Sequence, residues 1–240
     1  MKTIRNIIFF STLSFLFILT GCEEEPIVGN GNIVEDSRDV DPFDGIDISG
    51  AFNVELTQGN VPAVTIITDE NVMPFVEVSI INGELKIRFS PNAAIESTTE
   101  LRAVIGFETL RSLELSGSTR LIGTNIFQLD DIDIRCSGTC TLDMEFDADD
   151  VDIDVSGTCD LALFGNADDV TMRLSGASTY NAYDFIANSY DVRLSGACRA
   201  KIHVLESLEV DASGSCSMIF KGDPAHLDID ISGDCTVEHF

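Results

Sequence analysis

The 240-residue sequence predicts an all-β chain wound as a single-chain parallel β-helix (β-solenoid), with roughly 19-residue coils and a less regular β-rich N-terminal part. Three observations predict it: a Ser-Gly pair that returns at near-constant intervals, apolar columns aligned on that pair, and polar positions alternating between the columns. Repeats come first, because a fixed period of about 20 residues decides the architecture. The pairs are Ser116-Gly117, Ser137-Gly138, Ser156-Gly157, Ser175-Gly176, Ser195-Gly196, Ser213-Gly214 and Ser232-Gly233, spaced by 21, 19, 19, 20, 18 and 19 residues. An earlier copy, Ser49-Gly50, has similar surroundings.

Each copy reads as strand, corner, strand and polar link. One residue before the serine stand Cys136, Val155, Leu174, Leu194, Ala212 and Ile231, and three before it Ile134, Ile153, Met172, Val192, Val210 and Ile229. Four before it stand Asp133, Asp152, Thr171, Asp191, Glu209 and Asp228, which face water. This period of two marks half-buried strands. Glycine relieves the corner because it adopts positive φ without a Cβ clash. An up-and-down sandwich does not require the same residue class at the same offset in every copy. Stacked parallel coils do, because equivalent side chains form ladders at a spacing of ~4.8 Å. Six intervals then make a stack roughly 30 Å tall.

Residues 32–110 are β-rich but irregular. Asp44 to Gln58 fits the columns around Ser49-Gly50, while Val64 to Thr68, Val76 to Ile81 and Leu85 to Phe89 read as further strands. Asn82-Gly83 is a hairpin turn between the last two. This part is expected to start the stack and cap its open edge, in one domain with the regular coils of 111–240.

The N-terminus reads as a targeting segment over residues 1–21: Lys2 and Arg5, then an apolar run from Ile7 to Leu19. It ends in Leu19-Thr20-Gly21-Cys22, which resembles the lipobox of bacterial lipoproteins and implies acylation of Cys22, with outer-membrane lipid as a partner. Residues 22–31 form an acidic tether. Glu23, Glu24 and Glu25 resemble the surface-export signal of some Gram-negative lipoproteins, favouring the cell surface over a periplasmic position. Without residues 1–21 the chain carries 12 basic and 41 acidic side chains, a net charge of −29. That field repels nucleic acid and anionic head groups, so no nucleic-acid partner is expected.

Gly29-Asn30-Gly31-Asn32, then Arg38-Asp39-Val40, Phe43, Ile46 to Gly50 and Val54 to Gly59, form a combined pattern that continues through Asp69-Glu70-Asn71 and Gly83 to Ile87. This pattern resembles the putative auto-transporter adhesin, head GIN domain family of bacterial lipoproteins. The resemblance implies a parallel β-helix-like fold and a cell-envelope location.

Three constellations bear on chemistry. Cys140, Cys159, Cys198, Cys216 and Cys235 share one inward column in which Ser178 fills the gap. The favoured reading is a buried ladder of small side chains, with one or two disulfides as the alternative. Cys136 and Cys140 lack zinc-site spacing, and His203, His226 and His239 offer no paired ligand set. Asp130, Asp131, Asp149, Asp150, Asp168 and Asp169 recur at one corner of three coils, as solvated surface or as a site for loosely bound Ca²⁺. No other cofactor is expected. Arg135, Arg173 and Arg193, two before their serines, are expected to offset acid repulsion across coils.

No catalytic residues are assigned. The sequence holds no phosphate-binding glycine loop, nucleophile elbow or His-centred triad, and intervals this short leave no loop to wall a cleft. The reading is therefore a non-enzymatic envelope protein that binds a glycan or protein through flat solenoid faces. A self-associating scaffold is the alternative, and a β-helix carbohydrate-active enzyme ranks behind both.

Overall fold

The computed structural model describes residues 25–240, so the targeting segment, Cys22, Glu23 and Glu24 lie outside the described residues. The described chain is nearly all strand, interrupted by one short 3-10 turn at Met73–Phe75. The Ser-Gly copies stack as parallel ladders in register. Ser116 pairs with Ser137, Ser137 with Ser156, Ser156 with Ser175, Ser175 with Ser195, and Ser195 with Ser213. Ser49 pairs directly with Ser116, although the chain makes a long excursion between them.

That excursion builds the closed end of the stack. The strand Glu84–Phe89 lies parallel beneath Gly45–Gly50, and Leu101–Phe107 lies parallel beneath Asn53–Gln58. Chain order and stack order therefore differ here. Below this layer pairing turns antiparallel: Val76–Ile81 joins Glu84–Phe89 through a turn with positive φ at Asn82 and Gly83. Ala63–Asp69 joins Leu101–Phe107, and Ile33–Arg38 joins Ala63–Asp69.

Two sequence motifs meet at this end. Gly31 and Thr99 donate backbone N–H groups to Asp69 at 2.7 Å each, Asn30 N–H donates to Asn71 Oδ1 at 3.0 Å, and Asn71 Nδ2 donates to the Val28 carbonyl at 2.8 Å. Burial alone pushes the Asp69 carboxyl up, but these and neighbouring hydrogen bonds together hold it below the usual carboxylate range. Asp69 thus pins the N-terminal strap to the cap.

The inward columns form one continuous core. Ile134, Ile153, Met172 and Val192 are fully buried, as are Leu142, Leu161 and Tyr180 across from them. Each such aliphatic side chain contributes about 2 kcal/mol relative to exposure. At the link, Phe146 and Phe185 meet at 5.0 Å between ring centroids, across the coil in which Gly165 occupies the same column.

The corner requires glycine twice over. Gly117, Gly138, Gly157, Gly176, Gly196 and Gly214 have φ between 86° and 110°. A Cβ on Gly157 would also sit 2.4 Å from the Gly138 carbonyl oxygen, the same oxygen that accepts the Thr158 N–H at 2.8 Å. Inside the corner, Thr119, Ser178, Cys198 and Cys216 donate to corner carbonyls at 3.1 to 3.4 Å. Hydroxyl and thiol interchange in this column because each supplies a short donor. The six described cysteines are free thiols, and the hydrogen bond to Cys140, with burial, keeps the Cys136 thiol protonated.

The last coil departs from the columns. Leu227, Ile229 and Ile231 are 36–50% exposed, and Cys235, expected to be buried, is only half-buried. No further coil covers them among the described residues.

Candidate binding groove

Residues two before the serine and the serine itself share the outer face of one strand, because side chains alternate along it. The glycine kink turns the chain just beyond the serine. The result is a groove of about 570 Å³ running across successive coils, lined by Arg135, Asp154, Arg173, Arg193 and Asp211, with Ser137, Ser156, Ser175, Ser195 and Ser213 along the other wall. Uniform coils were expected to present flat faces without a cleft. The backbone kink, repeated in register, makes a shallow cleft without any inserted loop.

Its electrostatics differ from those of the chain. Glu114, Arg135, Asp154, Arg173, Arg193 and Asp211 line it as three acids and three bases, on a protein of net charge −27. Arg135 pairs with Asp133 and Arg193 with Asp191 at 3.1 Å, each within its own strand. Arg173 reaches Asp154 of the adjacent coil only at 4.0 Å. The expected cross-coil pairing thus holds for Arg173 alone. Arg173 and Arg193 stand directly in register, with no acid between them in the ladder. Burial raises the Asp133 carboxyl, and Asp152 and Asp154 add to this against the opposing pull of Arg135.

Four of the five groove serines are uncommitted. Ser175 donates to the Val155 carbonyl at 3.2 Å, but the hydroxyls of Ser137, Ser156, Ser195 and Ser213 form no hydrogen bond among the described residues. Hydrogen bonding to the preceding coil therefore accounts for Ser116, Ser175 and Ser232, but not for the other four serines. The signal was present in the sequence, since arginine and serine columns two residues apart on a strand must share a face.

The acidic corner stacks as the spacing suggested. Asp150 stands in register with Asp169, and burial together with Asp131, Asp169, Asp149 and Asp152 raises its carboxyl. Asp130, Asp131, Asp149, Asp150, Asp168 and Asp169 are all exposed. Side-chain amides rather than a carboxylate cage meet this edge: Asn188 donates to Asp168 at 2.9 Å, and Asn166 and Gln128 donate to Asp147 at 2.8 and 3.0 Å. Among the described residues no three His, Cys, Asp or Glu side chains converge to hold a metal ion.

Solved structures share this architecture. A putative adhesin from Bacteroides fragilis NCTC 9343 superposes with a TM-score of 0.82 at 18% identity, covering 89% of this chain and 100% of that one. A putative lipid binding protein from Parabacteroides distasonis ATCC 8503 gives 0.73 at 20% identity, over 90% and 100% of the two chains. A putative adhesin from Parabacteroides merdae ATCC 43184 gives 0.69 at 19% identity, over 89% and 98%. At these identities the likeness concerns the fold. No curated protein matches the chain. The family model described as putative auto-transporter adhesin, head GIN domain, matches residues 42–224, and the chain belongs to that family.

Proposed function

We propose that the protein is a lipid-anchored surface adhesin that engages its target along the serine–arginine groove. In this reading acylated Cys22 holds the chain in the outer membrane, and the solenoid presents the groove outward. The acidic residues directly after Cys22 form a tether shorter than 22–31, because Ile27 to Gly31 are hydrogen-bonded to the cap. The observation that carries the reading is the groove itself, a cleft across successive coils lined by three arginines with one acid partner each and by five serines, four of them without a hydrogen-bond partner among the described residues. Adhesin-family membership supports a binding role at the envelope.

The test displays the full chain on bacterial cells and measures protease accessibility of the solenoid and adhesion to host-cell surfaces. Cys22→Ser should release the protein from the membrane, and Ser156→Trp, which fills the groove from an exposed position, should abolish adhesion with surface levels unchanged. Retained adhesion in Ser156→Trp would exclude the groove as the contact surface. Because one relative is described as a lipid binding protein, phospholipid vesicles belong in the same assay.

A second reading, self-association, is favoured by one observation: the exposed Leu227, Ile229 and Ile231 of the last coil. Sedimentation velocity across protein concentration tests it, and a concentration-independent monomer would exclude it.

A further inference from the structure

We infer that the groove takes a linear glycan bearing sparse carboxylate groups, with Arg173 and Arg193 gripping one carboxylate and the free serine hydroxyls tracking the sugar chain. This rests on the groove being the contact surface.

Three observations carry it. First, Arg173 and Arg193 are in-register neighbours in a parallel ladder, so two like charges lie about one coil spacing, ~4.8 Å, apart. A carboxylate between them relieves that repulsion and accepts the planar forks of both guanidiniums. Their intramolecular pairing leaves room for this: Arg173 has a single acid at 4.0 Å, and Arg193 has one at 3.1 Å that lies sideways in its own strand. Two cations at the cap are each held by two acids instead. Lys86 sits between Asp47 at 2.8 Å and Glu84 at 2.5 Å, and Arg102 between Glu55 at 3.2 Å and Glu100 at 3.0 Å.

Second, the rest of the groove suits hydroxyls. Ser137, Ser156, Ser195 and Ser213 repeat along one wall without internal partners, each able to donate and to accept. Asp154 and Asp211, in the arginine column, add acceptors to the lining. A ligand that advances by about one ring per coil meets the same chemistry at each step, which a folded protein epitope does not.

Third, the charge of the whole chain limits the charge density of the ligand. A net charge of −27 opposes a polyanion at long range, while the groove lining sums to zero. A mostly neutral chain with isolated carboxylates satisfies both, whereas a sulfate or uronate on every sugar does not.

The test is isothermal titration of the lipid-free domain with gellan oligosaccharides, whose glucuronates are spaced by neutral sugars. The same oligosaccharides with carboxyls reduced to alcohols and densely charged polygalacturonate are the comparison arms. The expected result is at least tenfold tighter binding of the native than of the reduced oligosaccharide, weaker binding of polygalacturonate, and loss of the native-over-reduced preference in Arg173→Ser/Arg193→Ser. Equal affinity for native and reduced forms, tightest binding of polygalacturonate, or a preference that survives the double substitution would each overturn the carboxylate assignment. Failure of every oligosaccharide to bind would overturn the glycan assignment. The groove reading is judged separately, by cell adhesion of Ser156→Trp.

Discussion

Cations do different work at the closed end of the stack and on the coils. At the cap two are enclosed: Lys86 lies between Asp47 and Glu84, and hydrogen bonds first to Asp47 and then to Glu84 raise its pKa. Arg102 likewise spans Glu100 and Glu55, which raise its pKa in that order. On the coils Arg173 and Arg193 stand side by side in the ladder, each with a single acid in reach, Asp154 at 4.0 Å and Asp191 at 3.1 Å. The two regions use the same outward column, since Lys86 stands under Asp47, two before Ser49, as the arginines stand two before Ser175 and Ser195. A ladder position thus serves either to lock coils together or to present a donor, and the number of acids around it decides which.

The largest expected effect tests the corner that both regions depend on. Gly157→Ala should cost about 3 kcal/mol in urea unfolding, because φ is +110° and the Cβ meets a backbone oxygen that cannot yield. Next comes the cap cation. Lys86→Met should cost about 1 kcal/mol, a modest figure because its ion pairs remain partly hydrated. That contribution is fully present below the ordinary lysine pKa of ~10.4 and disappears as pH rises through the raised folded value. Cys198→Ser, which keeps a donor for the Ser195 carbonyl, should be the smaller loss beside Cys198→Ala, which forfeits about 1 kcal/mol of hydrogen bonding. Arg173→Ser should leave the melting temperature unchanged, and a clear loss of stability there would erase the distinction between locking and presenting cations.

Acid titration sharpens the comparison further. Asp133 and Asp150 have raised values, so their repulsion is present above those values and is relieved as pH falls through them. Asp69 is depressed by backbone hydrogen bonds that outweigh its burial, and Asp147 by Gln128 and Asn166. Their stabilisation holds above the ordinary aspartate pKa of ~3.9 and is lost as pH falls through their lower values. Thermal melts should therefore rise slightly as pH falls from neutral towards the ordinary aspartate pKa of ~3.9 and drop below it. Asp69→Asn should shrink the second limb, leaving the part due to Asp147, with faster hydrogen exchange in the Gly29–Asn32 strap.

The coils were legible in the sequence because register turns a one-dimensional period into a ladder: Ile134, Ile153 and Met172 are aligned by counting from Ser-Gly, and they stack as counted. The cap was legible strand by strand but not in its order. Leu85 and Ile87 alternate like any coil strand, yet no local signal tells that they pack beneath Ile46 and Ile48, which precede them. Exposure at the last coil follows from the same geometry, since Leu227 carries a buried-column pattern without a covering neighbour among the described residues. The groove was half legible. Arg173 and Ser175 share a face by alternation, but the concavity between their columns comes from the angle of the glycine kink, which no residue pattern states.

The most direct test compares adhesion by cells displaying the native chain with that by cells displaying Arg173→Ser/Arg193→Ser, at matched surface level and with both melting temperatures recorded. The account predicts equal melting temperatures and at least a tenfold drop in bound cells. Undiminished adhesion with an unchanged melting temperature would contradict it.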